Sequence, residues 1–357
     1  MSDRGTGMKY IATESYVRLL GRTTLKENTR YLSYSYSGIE FETTAKRIAT
    51  TLWTDGACGP ETLKAWVAVF INDEKVPSKR FSLDEEEKTY VIYESQEVQE
   101  IKVRLVKFSE VAFAKVGIKA IEVEGNIEPI RPTQSNRRKI ELIGDSITCG
   151  YGNEGVWNVD DFTTRLENPW LGYAVQVAEQ LKAEVQLVSW SGIGVYSSWT
   201  ETDEPRQELL MPELYPYTDL TLLEVIGEKE KWSFTDFEPD VIIINLGTND
   251  TSYTKGIKER IDLFGNAYYH FIREVRQYNP NAMILCVLGV MGQDLYPEIS
   301  KQVKRIREEN QDKKVVSLCL DVQLESDGIG SDYHPSLNTH QKMAHVISRK
   351  LQELMEW

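Results

Sequence analysis

Two spacings of apolar residues divide the chain. Residues 1–125 carry short β-rich runs: RIATTLWT (47–54), WVAVFIND (66–73), YVIYE (90–94), IKVRLVKF (101–108) and GIKAIEVEG (117–125). Several alternate apolar with polar positions, polar, Gly- or Pro-containing segments separate them, and NDEK after Ile71 reads as a hairpin turn. That alternation belongs to antiparallel strands, so an all-β sandwich or jelly roll is predicted over residues 1–125. The stretch that follows, NIEPIRPTQSNRRK, is rich in proline, polar and basic residues; it predicts a linker over 126–138 without regular structure.

From residue 139 to 357 the pattern changes. IELIG (140–144), AEVQLVSWSG (183–192), PDVIIINLG (239–247), AMILCVLG (282–289) and KVVSLCLD (314–321) are nearly continuous apolar runs, as in strands buried on both faces. Helical spacing appears between them at 171–182, 256–278, 298–311 and 337–356. Strand alternating with helix predicts an α/β domain with a doubly wound parallel sheet. After the first of these strands the next helical pattern begins only near Leu171. In such sheets ligands bind at the carboxyl ends of the strands, which directs the search for chemistry.

Composition narrows the function classes. The chain is 41% hydrophobic and 10% aromatic, enough for proper cores. Its net charge of −14 argues against nucleic acid or an anionic membrane surface as partner. Cys58, Cys149, Cys286 and Cys319 show no C-x-x-C spacing. Cys286 and Cys319 sit in apolar runs and read as buried, unpaired core residues; Cys149 reads as a small hydrophobe packed behind its loop. With no ligand spacing among His and Cys and no Gly-rich phosphate loop, neither a metal nor an organic cofactor is expected. MSDRGTGMKYIATES lacks the apolar core of a signal peptide, and no stretch approaches a membrane span. A soluble, cytoplasmic protein is the expectation; the oligomeric state is not legible.

The strand tips hold the parts of an acyl-transfer site. They are Gly144-Asp145-Ser146, Ser191-Gly192-Ile193-Gly194, Gly247-Thr248-Asn249-Asp250 and, before the last helix, Asp332-Tyr333-His334-Pro335. A serine hydroxyl needs a base, and histidine titrates in the right range, which makes Ser146 the candidate nucleophile and His334 the candidate base. The tetrahedral oxyanion needs donors already in place; the Ser146 and Gly194 backbone N–H groups and the Asn249 amide can supply three. Alone, Gly-Asp-Ser or Asn249-Asp250 is ordinary turn chemistry, and His270, His340 and His345 lie at helical positions with structural or solvent-facing roles. The occurrence of all four tips in order favours catalysis.

These residues resemble the four blocks of the SGNH (GDSL-type) hydrolases: GDSI with Ser146, SGIG with Gly194, GTND with Asn249 and a C-terminal Asp-x-His-Pro with His334. The resemblance covers about residues 139–357 and implies a flavodoxin-like catalytic domain. A β-sandwich ahead of it, with IGDSITCGYG, is similar to carbohydrate esterase family 2, whose members deacetylate plant-wall polysaccharides such as xylan and mannan. The resemblance thus implies a serine esterase acting on an acetylated carbohydrate, and would allow secretion. The usual last block is Asp-x-x-His, whereas here Ser331 takes the acid's place and Asp332 stands two residues before His334. The Asp332 carboxylate can orient His334 as a third triad member, a backbone carbonyl of 331–332 can do so in a Ser–His dyad, or Asp332 only caps the loop. Among the aromatics, Trp199 in a polar loop and Tyr196 are candidates for stacking on sugar, Trp190 reads as core, and Trp157 and Trp170 follow the first block. The acidic, Pro-containing 199–232 segment reads as a cleft wall. Two rivals stand beside this reading: an SGNH lipase or thioesterase with a longer acyl substrate, and a carbohydrate-binding protein with a degenerate hydrolase domain.

Overall fold

The computed structural model describes residues 7–56, 59–125 and 128–357. Cys58, the extreme N-terminal residues 1–6 and the first two residues of the expected linker lie outside these. The chain forms two compact units: one runs to Asn136 and takes in Thr163–Arg165 and Thr221–Lys229, and the other holds Arg137–Phe162, Leu166–Leu220 and Glu230–Trp357.

The first unit is an antiparallel sheet built around three long strands, β1 (Gly38–Trp53), β2 (Glu87–Lys107) and β3 (Val116–Glu124), with β1 pairing to both others. Alternate residues of these strands, among them Ile39, Phe41, Leu52, Val103, Leu105, Val116 and Ile118, enter one apolar core. The runs at 90–94 and 101–108, read as separate strands, belong to the single strand β2. The ladder resumes on both sides of a bulge: Glu94 pairs with Arg47 and Gln99 with Ala45, and residues 95–98 bulge out opposite Lys46. Backbone hydrogen bonds hold a strand together even where its side chains face water.

The expected linker also carries structure. Arg131–Pro132 pairs with Phe41 and Glu42 of β1, because a proline is tolerated on an edge strand. Thr133 is tied into a buried ionic cluster: its hydroxyl donates to Glu40 Oε1 at 2.7 Å and accepts from Arg18 Nε at 2.8 Å. Glu40 also takes Arg18 Nη2 at 2.6 Å and Arg104 Nε at 2.7 Å. Burial raises the Glu40 pKa, but the charges of Arg104 and Arg18 outweigh it and bring it to about 2.

The second unit is an α/β domain with a five-stranded parallel sheet. Its strands are β4 (Lys139–Gly144), β5 (Glu184–Ser189), β6 (Val241–Asn245), β7 (Met283–Leu288) and β8 (Val315–Cys319), in the order β5-β4-β6-β7-β8. This is the flavodoxin-like order, with its switch point at β4. Registers such as Gly144 with Ser189 and with Asn245 bring the carboxyl ends of β4, β5 and β6 to one level. The helices are α1 (Ser146–Cys149), α2 (Tyr173–Leu181), α3 (Lys258–Tyr278), α4 (Tyr296–Glu309) and α5 (Leu337–Met355), with shorter turns between. Helix α3 buries Phe264, Tyr268, Phe271, Ile272 and Val275, a 3.6-residue stripe. Cys149 and Cys286 are buried; Cys319 is half-buried, as a residue at a strand end rather than in the core. Among the described residues, no helix is long and apolar enough to cross a membrane.

Candidate active site

The first block turns sharply from strand to helix. Asp145 caps α1, accepting the Ile147 N–H at 3.0 Å, and is the single residue between the end of β4 and Ser146, which begins the helix. This single turn, missed by periodicity because four residues are too few to show one, ends at left-handed Gly150 (φ 84°). Gly144 makes the turn possible: a Cβ there would lie 2.0 Å from Thr148 Oγ1. The Ser146 backbone N–H, in the first turn, has no acceptor within its own helix.

The fourth block brings His334 to this serine. His334 Nε2 lies 2.8 Å from Ser146 Oγ, and its Nδ1 lies 3.1 Å from the Asp332 backbone carbonyl. A carbonyl can only accept, so Nδ1 carries the proton and Nε2 presents its lone pair to the serine hydroxyl. Both ring nitrogens are thereby engaged, leaving none for a metal. The Asp332 carboxylate turns elsewhere, accepting the Tyr151 hydroxyl at 2.8 Å. The second of the three arrangements open to Asp332 is therefore the one present: the ring meets the carbonyl and not the carboxylate. The reason is local. Asp332 (φ 51°) and Tyr333 (φ 63°) are both left-handed, which sends the carbonyl and the carboxylate of Asp332 to different partners. Burial lowers the His334 pKa to about 4, and hydrogen bonding and charge from Asp332 offset it only in part.

The second and third blocks meet beside Asp145. Asn249 Nδ2 donates to Ile193 O at 2.9 Å and, at 3.4 Å, approaches Asp145 Oδ2. The Gly194 N–H points to Ser198 Oγ at a long 3.3 Å. A Cβ on Gly194 would lie 2.0 Å from Ser197 O, so the loop accepts only glycine there. Reading Asn249-Asp250 as turn chemistry overlooks Asp250. Fully buried, its carboxylate collects the N–H groups of Val195 (3.0 Å), Tyr196 (2.7 Å) and Ser197 (2.9 Å), and so shapes the loop that carries Gly194. Burial pushes its pKa up to about 6 although these three bonds act in the opposite direction. An acid directly after a polar strand end was the available signal.

The aromatics separate. Trp199 is 49% exposed and Trp157 40%, the latter edge-on to Tyr333 at 4.9 Å. Tyr196 is half-buried beside Tyr253, and Trp170 is buried. Trp190 is half-buried rather than core, lining a hollow of about 70 Å³ with Gly192, Arg206 and Glu208. Within the 199–232 segment, Met211 donates its N–H to Gly194 O at 3.0 Å, bracing that loop from behind. His340, at a helical position, is buried: its Nδ1 accepts the Tyr173 N–H at 3.0 Å at the start of α2. His345 is exposed.

Comparison with known proteins agrees with this architecture. A family model described as the GDSL-like Lipase/Acylhydrolase family matches residues 142–342. Cellulase/esterase CelE of Acetivibrio thermocellus is 38% identical over 224 residues, 62% of this chain but only 26% of that protein, so the chain spans about a quarter of its length. An acetylxylan esterase / glucomannan deacetylase of Cellvibrio japonicus is 27% identical over 97% of this chain and 91% of its own. Among solved structures, a family two carbohydrate esterase from Clostridium thermocellum in complex with cellohexaose superposes with TM-score 0.82 at 28% identity, covering 96% of this chain and 99% of that one. An acetyl xylan esterase from Butyrivibrio proteoclasticus reaches 0.86 at 26% identity, covering 99% of both chains. With a parallel α/β sheet, a serine turn after its first strand and a model match over more than half of its length, the chain belongs to the GDSL-like lipase/acylhydrolase family, and it is similar along nearly all of its length to family two carbohydrate esterases.

Proposed function

We propose that the protein is a serine esterase that removes O-acetyl groups from plant-wall polysaccharides or oligosaccharides of the xylan or mannan type. The observation that carries the reading is the 2.8 Å approach of His334 Nε2 to Ser146 Oγ, with Nδ1 held by the Asp332 carbonyl. In this arrangement Ser146 attacks the acetyl carbonyl while Nε2 takes its proton. The tetrahedral oxyanion is received by the Ser146 N–H, which has no acceptor within its own helix, by the Gly194 N–H, whose acceptor lies 3.3 Å away, and by the second Asn249 amide hydrogen, which only approaches Asp145 at 3.4 Å. The imidazolium then protonates the departing sugar oxygen, leaving an acetyl-enzyme. Water, deprotonated by His334, releases acetate and restores Ser146. His334 works as a base in a dyad, because the third position is filled by a neutral carbonyl that fixes the tautomer without adding charge.

The substrate class follows from the relatives, named as acetylxylan esterase / glucomannan deacetylase and as a structure holding cellohexaose. Exposed Trp199 and Trp157 supply apolar surface for the C–H faces of a sugar. The test is acetate release from an aryl acetate, acetylated xylan and acetylated glucomannan, with an aryl octanoate as the long-chain control. Ser146→Ala is expected to lose on the order of 10⁶ in kcat. Asp332→Ala, which keeps the carbonyl, is expected to lose far less. Wild-type rates in Ser146→Ala would end the reading, and octanoate preferred over acetate would move it to a longer-chain hydrolase.

A further inference from the structure

We infer that Tyr151 is a positioning residue: its hydroxyl holds the Asp332 carboxylate away from His334, and so makes the site a Ser–His dyad oriented by a carbonyl. The inference rests on the esterase reading above and adds to it the residue that decides between dyad and triad.

Tyr151 reaches both halves of the site. Its backbone N–H bonds to Ser146 O at 3.1 Å, closing the end of α1 behind the nucleophile. Its ring lies flat on Phe162, with centroids 3.6 Å apart and an 8° tilt, and sits 4.4 Å from the His334 ring. Its hydroxyl donates to Asp332 Oδ2 at 2.8 Å. Flanking Gly150 and Gly152 are both left-handed (φ 84° and 58°), and a Cβ on Gly152 would lie 2.9 Å from the Ser331 side chain. The Tyr151 segment and the His334 turn are therefore packed too closely to admit side chains between them.

The His334 turn needs such a hold. Two successive non-glycine residues in the left-handed region are strained and persist only where neighbours enforce them. The visible enforcers are Ser331 N–H on Gly152 O (3.0 Å), Gly330 N–H on His334 O (2.8 Å), Gln323 Nε2 on Tyr333 O (2.8 Å) and the Tyr151 hydroxyl on Asp332. Only the last acts on the Asp332 side chain. Without it, the carboxylate is a stronger acceptor than the carbonyl for the Nδ1 proton, because it is charged. Among the described residues, the titratable groups that face His334 beside the Ser146 hydroxyl are Tyr151 from the first block, Asp332 from its own turn and His340 of α5. Asp332 is the carboxylate among them, so its position sets the charge that the imidazolium feels.

The experiment is a double-mutant cycle on aryl acetate hydrolysis. Tyr151→Phe keeps the ring stack and loses the hydroxyl. It is expected to change kcat severalfold with little change in KM, and to move the acid limb of kcat/KM up by about one pH unit, since a freed carboxylate stabilises the imidazolium. In an Asp332→Asn background the same substitution is expected to leave the acid limb where Asp332→Asn alone puts it. An unchanged kcat and limb in Tyr151→Phe overturns the proposal, as does a shift that persists in the Asp332→Asn background. Following the His334 ring by NMR titration in all four proteins reads the same coupling without turnover. Absent esterase activity in the wild type would therefore undo the esterase reading alone, while the titration still decides the tether.

Discussion

At the residue scale, the decisive group in the proposed reaction is His334. A base must be neutral to accept a proton, and a ring whose pKa burial has lowered to about 4 is neutral through the whole mildly acidic range. The sign is direct: a depressed histidine pKa extends the basic form to lower pH. The kcat/KM for an aryl acetate is expected to stay level from neutral down to about pH 4 and to fall below it, roughly tenfold per unit. A pH–rate profile whose acid limb lies near the ordinary histidine value of 6.5 would contradict that environment. Ser146, His334, Gly194 and Asn249 could all be singled out from the sequence, because the chemistry proposed for them depends on residue type at a strand tip. Tyr151 and Asp250 were not singled out: a tyrosine in CGYG and an aspartate in GTND look like ordinary loop residues until their partners are placed.

At the scale of elements, the first unit depends on a charge cluster at the edge of β1. Glu40 is 2% exposed and satisfied by Arg18, Arg104 and Thr133. Removing one member of a buried pair strands the others without compensation. Glu40→Ala is expected to destabilise the protein by about 3–5 kcal/mol, read as a lowered urea midpoint in circular dichroism. A midpoint shifted by no more than a surface substitution would show the cluster to be dispensable. The same cluster explains why the proline-bearing segment is ordered around Thr133: a polar residue in a linker was legible, but its partner 93 positions away was not. The long strand β2 illustrates a second limit, since side-chain alternation reports burial while the ladder that unites its two runs is made by backbone groups.

For the whole molecule, acid should weaken stability in two stages. The histidines act first. His340 is buried and its pKa is lowered to about 3, below the 6.5 it has when exposed, so unfolding takes up a proton. Its stabilising contribution is complete above about pH 6.5 and is lost as pH falls towards 3. Glu40, lowered from 4.5 to about 2, adds a second loss below about pH 4.5. Urea midpoints at pH 7.5, 5.5 and 4 should therefore decline progressively. His340→Gln, which keeps an acceptor near the Tyr173 N–H, should flatten the first part of that decline. An equal midpoint at pH 7.5 and 5.5 in the wild type would refute the histidine stage.

By itself, the sequence determined which segments could become strands or helices, that a parallel sheet would follow an antiparallel one, and which polar residues would stand at its strand ends. Those properties reside in the spacing and chemistry of neighbouring residues, and local periodicity is sufficient to expose them. The tertiary structure alone decided which atoms of those residues meet. The Asp332 carbonyl faces His334 and its carboxylate faces Tyr151, because the backbone there is left-handed and packed against Gly152. A composition or a spacing does not carry the sign of a backbone angle, nor the partner that arrives from 181 residues away.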